Sequence, residues 1–435
     1  MEKAVSPCNW EQALGAVIRN QGAPGPDGMT VQQLEKHLEV HGETIRRRML
    51  EGRYQPSAAK RRDIAKPTGG TRPLSIPNVQ DRFVAQLLLG ILQPLFERSF
   101  SEHSYGFRPG RSAQQAVQAA RAYVKEGYTW VVDMDIAQFF DRVNHDILMH
   151  RLGQSVKDKR VMRIVGAFLR AGVIMPDGLH VKSEEGTPQG GPLSPLLANI
   201  YLDALDRELE KRGLRYVRYA DDCNIYVRSK VAAERVLTGL TQWISRHLRL
   251  EVSPTKSGTG RPWERKFLGF VVLTTLLIGI APKSITRFED RVRELWDARQ
   301  SLTSVELRDQ WRDYVRGWWA YYRLAEDRRA LTDREPWVRR HIRKCFWIRW
   351  HKAGGRFAVL QRLGVPAQRA RKAAYTTGGP WRMARHPAMH EALSNQRLRQ
   401  HQLHMPSDLA RLDEQVSNRR MRKTARPVVW EPRRV

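Results

Sequence analysis

Apolar and polar positions recur along this chain in two periods, and the periods change over several times before residue 280. Residues 9–52 read as helices broken by GAPGPDGMT, a Gly/Pro turn in which Thr30 suits an N-cap. RRDIAKPTGGTRPLSIP reads as two short strands joined at Thr68-Gly69-Gly70, a hairpin with basic residues on both arms. DRFVAQLLLGILQPLFERSF repeats its apolar positions at helical spacing. SYGFRPGRSAQQAVQAARAYVKEG is a basic loop followed by an amphipathic helix capped at Ser112, and YTWVVDMDI is a strand. GTPQGGPLSPLLANIYLDALDRELEKRG is a Gly/Pro loop and then a helix that stops at Gly213. RYVRYADDCNIYVRS sets aromatic and β-branched residues on both sides of Asp221 and Asp222, the pattern of a hairpin. A helix is predicted over about 231–248, and further strands around KFLGFVVLTTLLIGIA. This irregular alternation predicts an α+β core with an antiparallel sheet. Beyond residue 282 the pattern is helical, with Trp311, Tyr314, Val315, Trp318, Trp319 and Tyr322 spaced at three and four.

Composition narrows the partner. The 435 residues leave room for two to four domains, and 41% apolar content can bury a core. A net charge of +30 and a pI near 10.6 point to a polyanion, nucleic acid before a membrane. The longest apolar run, VVLTTLLIGIA at 271–281, is too short to span a bilayer. MEKAVSPCNWEQAL has neither a signal-peptide apolar core nor an Arg-rich transit pattern. Cys8, Cys223 and Cys345 are far apart, so neither a disulfide framework nor a zinc cluster is expected, and a reducing compartment fits. From residue 281 onward, 35 Lys and Arg stand against 16 Asp and Glu, and nine of the 13 Trp fall there. That shift predicts a domain boundary near residue 280.

The candidate chemistry starts from Asp221 and Asp222. An Asp pair at a hairpin tip is ordinarily turn chemistry. A two-metal polymerase, however, needs carboxylates from different strands converging on divalent ions about 4 Å apart, and Mg²⁺ prefers oxygen ligands and couples to phosphates. VVDMD, ending at Asp135, supplies a second source. If its strand neighbours the hairpin, Asp135, Asp221 and Asp222 meet at one sheet edge.

The order of pieces decides between these readings. DIAQFF, GTPQGGPLSPLLANIYLDALD, VRYADD, LEVSPTKS and FLGF follow one another as in the reverse transcriptases of group II introns, which the chain resembles. AKPTGGTRPLSIPNVQDR and SYGFRPGRSA resemble that family's finger motifs, YVRGWWAYYR looks like its thumb or maturase region, and GGPWRMARHPAMHEALSN looks like its C-terminal part. The match runs from Gly25 to Phe270 and then resumes. It implies a right-hand polymerase. Fingers with an N-terminal extension would occupy 1–125, a palm with an antiparallel sheet 126–280, an all-α thumb 281–352 and a small basic nucleic-acid-binding region 353–435.

The resemblance also assigns roles. Asp135, Asp221 and Asp222 are the expected catalytic carboxylates and ligands of two Mg²⁺ ions, with Mn²⁺ as a substitute. Asp133 shares a strand face with Asp135 and reads as support for it. Phe140 matches the family's steric gate against a ribose 2′-hydroxyl, which favours dNTPs. Lys66 and Arg72 match the triphosphate-binding cations. Gln189 matches a residue beside the incoming nucleotide, with Gly190 and Gly191 allowing close backbone approach. Lys256 matches a basic residue near the site, and FLGF resembles the primer grip. Arg108 and Arg111 are expected on template or phosphate backbone, with a salt-bridged loop as the alternative. Arg339, Arg340, Arg343, Lys344 and Arg349 are expected to form a phosphate-binding helix face. Cys223 stands where many relatives have Phe and is expected to pack inward. The tail has none of the paired cysteines and histidines of the family's homing endonuclease, which resembles the endonuclease-less group IIC type.

The implied function is a maturase that binds group II intron RNA and assists its splicing. It would then copy that RNA into DNA from a primer in target DNA, using dNTPs. The implied location is the bacterial cytoplasm, at the nucleoid when DNA-bound and with no membrane partner. One alternative is a domesticated relative working in DNA repair, phage defence or CRISPR adaptation. Another is an RNA-binding splicing factor with a relic polymerase core, against which the complete set of Asp135, Asp221, Asp222, Lys66, Arg72 and Gln189 argues.

Overall fold

A computed structural model describes residues 1–65 and 71–424, with the side chains of all of these except Arg72 and residues 416–424. The chain forms two compact units, Met1–Leu268 and Gly269–Val435.

The first unit contains β1 (Ala59–Ala65), β2 (Thr71–Ile76), β3 (Trp130–Met134), β4 (Val173–Ile174), β5 (His180–Val181), β6 (Arg215–Tyr219), β7 (Asp222–Val227) and β8 (Gly258–Gly260). Among the described residues they make two four-stranded sheets, ordered β2-β1-β4-β5 and β6-β7-β3-β8. The helices of this unit are α1 (Pro7–Asn20), α2 (Leu34–Leu50), α3 (Val79–Glu97), α4 (Ala113–Lys125), α5 (His145–Ser155), α6 (Lys159–Arg170), α7 (Ser194–Lys211) and α8 (Lys230–Leu248). Local chemistry sets their starts. The Ser112 amide donates to Gln115 Oε1 at 2.8 Å and the Gln115 amide to Ser112 Oγ at 3.3 Å, a reciprocal cap that opens α4. Ser229 accepts from the Ala232 amide at the head of α8.

The β6-β7-β3-β8 sheet positions the site. Val132, Met134, Tyr216, Cys223 and Ile225 share one core with Leu196, Leu197 and Leu205 of α7 and Leu240 and Ile244 of α8. Cys223 is therefore inward, as its place in the strand predicts. The other face holds Asp133 opposite Asn224 and Val131 opposite Tyr226. Tyr123 of α4 covers the Tyr226 end, with ring centroids 5.7 Å apart.

The second unit begins with an antiparallel hairpin, β9 (Phe270–Val272) and β10 (Ile278–Ile280). It continues as α9 (Pro282–Leu295), α10 (Ser304–Tyr322), α11 (Arg329–Thr332), α12 (Glu335–Arg349) and further helices up to Thr424. The Phe270 ring lies 5.6 Å from Tyr321 and 5.2 Å from Tyr322. The Ile278 amide donates to the Glu326 carboxylate at 3.0 Å. These contacts tie the hairpin to α10, so the unit starts at Gly269, ahead of the shift in composition near residue 280. Trp311 and Trp319 are buried, and their indole N–H groups donate to the His404 carbonyl at 3.0 Å and the Asp413 carboxylate at 2.8 Å. They anchor His404 and the helix Pro406–Thr424 to the core. Among the described residues no helix is long and apolar enough to cross a membrane.

Candidate active site

β3 ends at Met134, which pairs with Cys223, so Asp135 falls beside Asp222 at the same sheet edge. Its backbone is fixed from one loop. The Asp135 amide donates to Ser257 Oγ at 2.9 Å, and its carbonyl accepts from the Ser253 amide at 2.8 Å. Asp221 sits in the two-residue turn between the paired Tyr219 and Asp222. The predicted meeting of Asp135, Asp221 and Asp222 at one edge is thus present in the register, and Asp133 shares their face.

The carboxylates repel one another. Part of Asp222 is open to solvent, yet its carboxyl group is crowded. Its pKa is pushed up to about 7, first by desolvation and then by Asp221, Asp133 and Asp135. Asp133 is pushed up to about 6 by burial, against the pull of Arg265, whose guanidinium is 3.9 Å away. Lys256 Nζ lies 3.0 and 3.3 Å from the two carboxylate oxygens of Asp135. Among the described residues no three Asp, Glu, His or Cys side chains are grouped to cage a metal ion. The ammonium of Lys256 instead stands where a cation would meet Asp135. The donor set, hard oxygens on one crowded face, suits a divalent ion of the Mg²⁺ class.

Sequence reading missed what holds the turn. Ala220 has φ +59, a left-handed conformation that disfavours a side chain. Its carbonyl accepts from Arg218 Nη1 at 2.9 Å. Arg218 is wholly buried, forks onto Asp206 of α7 at 2.5 and 2.7 Å and donates to Asn199 at 3.0 Å. Asn199 in turn donates to the Gly106 carbonyl at 2.9 Å. Gly106 must be glycine, because a Cβ there would stand 2.2 Å from the Ala220 nitrogen. The available signal was Asp206 beside Leu202, Leu205 and Leu209, a charge on the apolar stripe of a helix.

Asp135, Asp221 and Lys256 line a cavity of about 810 Å³, together with Phe140 and Gln189. Phe140 lies in the 3₁₀ turn Phe139–Asp141, and its carbonyl accepts from the Thr187 amide at 2.7 Å. Gln189 donates to Asp141 at 3.1 Å, and its carbonyl accepts from the Ser75 amide at 2.6 Å. Gly190 has φ +118, and a Cβ would meet the Ser75 carbonyl oxygen at 2.5 Å. Its freedom therefore serves contact with β2. Arg61, also on the cavity wall, was not foreseen. Lys66 lies outside the described residues; Arg72 pairs with Ile64 through its backbone, and its side chain is likewise outside.

Most of the residues expected to contact nucleic acid have partners within the chain. Arg108 is buried and donates to Glu97 at 2.8 Å and to the Ser101 and Ser104 carbonyls at 2.5 and 2.8 Å. It clamps its own loop, the salt-bridged alternative. Arg111 stacks over Tyr105 at 5.4 Å and donates to the Glu102 carbonyl at 3.0 Å. On α12, Arg343 is buried against the Leu393 carbonyl at 3.0 Å and Asn395 at 3.1 Å. Arg349 binds the Gln300 and Leu302 carbonyls, and Arg339 pairs with Glu335 at 2.9 Å. Arg343 is thus part of the internal packing, while Arg339 and Arg349 are half-buried and hold partners inside the chain. Arg340 lies 3.8 Å over the Trp381 ring, with Lys344 5.9 Å from it.

Residues 64–272 match the family model described as reverse transcriptase (RNA-dependent DNA polymerase), and residues 285–364 match the group II intron, maturase-specific domain. The protein YkfC of Escherichia coli is 37% identical over 209 residues, 47% of this chain and 55% of YkfC. The putative COX1/OXI3 intron 1 protein of Saccharomyces cerevisiae is 31% identical over 225 residues, 51% of this chain and 26% of that protein. The group II intron-encoded protein LtrA of Lactococcus lactis is 34% identical over 193 residues, 44% of this chain and 31% of LtrA. The chain thus spans about half the length of the first of these relatives and less of the other two. With a reverse transcriptase domain followed in order by a maturase-specific domain, the chain belongs to the family of group II intron-encoded reverse transcriptases and maturases.

Proposed function

We propose that the chain is an RNA-directed DNA polymerase and an intron maturase. It would bind group II intron RNA, assist its splicing and copy it into DNA from a primer in the target DNA. The observation that carries the reading is the register that sets Asp135 beside the Asp221–Asp222 turn on the wall of a roomy cavity. In this reading Asp135, Asp221 and Asp222 would hold two Mg²⁺ ions, with Mn²⁺ as a substitute, and the bound ions would supply activation of the primer 3′-oxygen and charge stabilisation for the leaving pyrophosphate. Lys256 releases Asp135 and turns to the triphosphate, which Lys66 and Arg72 also bind. Phe140 excludes the ribose 2′-hydroxyl, and Gln189 lies beside the incoming dNTP. A cytoplasmic protein fits these partners. Primer extension on an RNA template, with wild type beside Asp221→Ala, tests the chemistry. Wild type is expected to make cDNA and the variant none; equal Mg²⁺-dependent yields refute the proposal.

A further inference from the structure

Phe107 combines features that ordinary packing does not explain. It has φ +60, a left-handed conformation that a bulky residue adopts only when its neighbours force it. Both neighbours are fixed. The Gly106 carbonyl is held by Asn199 at 2.9 Å, and Arg108 is buried with its guanidinium on the Ser101 and Ser104 carbonyls. Between these anchors the Phe107 side chain is turned out, 45% exposed, onto the wall of the cavity that also holds Asp135 and Asp221. Its ring meets Phe140 edge to face, with centroids 6.4 Å apart and planes at 70°. Phe140 meets Phe139 in the same way from the other side, at 5.2 Å and 72°, and Phe139 is 2% exposed. Phe140 is therefore held laterally by two rings, one rooted in the core and one presented by a strained loop.

We infer that Phe107 is the outer clamp of the Phe140 ring, and so a specificity-determining residue for the sugar of the incoming nucleotide. This rests on the reading of Phe140 as the wall against a 2′-hydroxyl. A steric wall discriminates only while it stays in place. With Phe107 gone, Phe140 keeps one lateral partner and can rotate from the cavity to admit the extra oxygen. Phe107 acts through Phe140, as a positioning residue.

The test is single-nucleotide incorporation on an RNA template with a DNA primer, comparing one dNTP with its matching rNTP. The readout is the ratio of the two kcat/KM values. Both come from one preparation, so any loss of folded protein cancels. Phe140→Ala is expected to raise relative rNTP use strongly. Phe107→Ala is expected to raise it roughly two- to twelve-fold, the range an edge-to-face aromatic contact commands. In the Phe140→Ala background, Phe107→Ala is expected to add nothing. A wild-type ratio for Phe107→Ala beside a relaxed Phe140→Ala overturns the inference and leaves the reading of Phe140 standing. An unrelaxed Phe140→Ala removes that reading and the inference with it. A double variant in which the two effects multiply overturns the clamp. Should Phe107→Ala make no product, Phe107→Leu decides: a relaxed ratio supports the clamp and a wild-type ratio overturns it.

Discussion

Arg218 offers the sharpest test of how the turn carrying Asp221 is held. Both Arg218 and Asp206 are 0% exposed, and the guanidinium reaches the carboxylate at 2.5 and 2.7 Å. Removing one partner of such a pair strands the other as a buried charge, which costs about 3–5 kcal/mol. Arg218→Met should therefore lower Tm by roughly 6–20 °C, at about 2–4 °C per kcal/mol for a domain near this size. Thermal unfolding followed by circular dichroism measures this. Adding Asp206→Leu removes the stranded carboxylate, and apolar replacement of a buried pair is often neutral. The double variant should regain most of the lost Tm. It should not regain cDNA synthesis, because the Ala220 carbonyl still lacks the Arg218 donor that helps hold the turn at φ +59. Stability and turn placement are thereby separated. A Tm change under about 2 °C for Arg218→Met, well below what a buried-pair loss demands, refutes the energetic reasoning. Full cDNA yield from the stable double variant refutes the positioning.

Two further outcomes follow from the burial pattern. Asp81 is buried, accepts from Tyr54 at 2.6 Å and from the Ser57 amide at 3.1 Å, and is pushed up to about 6 by desolvation. Its folded pKa lies above the unfolded one, so its contribution to stability is full below about pH 4 and is lost as pH rises through about 6. Stability relative to Asp81→Asn should then fall by on the order of 3 kcal/mol across that window, read by urea unfolding at each pH; a flat difference contradicts it. Arg343→Ala should lower Tm while leaving the slope of RNA affinity against salt unchanged, since its donors already serve Leu393 and Asn395. A slope reduced by about one contact would return Arg343 to the phosphate-binding set.

What could be read from sequence depended on whether an interaction partner lies in a periodic pattern. The hairpin around Asp221 and Asp222, the strand before Asp135 and the cap at Ser112 all follow from local spacing, and each is in place. Arg218 did not stand out, because both faces of β6 carry apolar residues, with Tyr216 on one and Val217 on the other. Parity alone cannot then assign an arginine to the interior. The partners of the basic residues were illegible for a related reason. Sequence shows that Arg108, Arg343 and Arg349 carry charge, but the carbonyls they bind belong to turns whose position no side-chain pattern encodes. Net charge pointed to a polyanion; it did not indicate these partners inside the chain.

Two cations that hold this region, Arg218 and Lys256, differ in a way that bears on the proposed mechanism. The Arg218 side chain has no solvent exposure and binds the turn's backbone through the Ala220 carbonyl. The Lys256 side chain is 66% exposed and binds the carboxylate of Asp135 itself. A buried guanidinium fixed by Asp206 and Asn199 cannot leave without stranding them, so it defines geometry. An exposed ammonium on a flexible stem exchanges readily, at a contribution of about 0–1 kcal/mol for such pairs. In the proposed mechanism, this arrangement would keep the turn rigid where a reacting atom is to be placed and leave the charge on Asp135 exchangeable. A permanent cation on Asp135 would close the site, and none at all would leave the carboxylates to push one another apart.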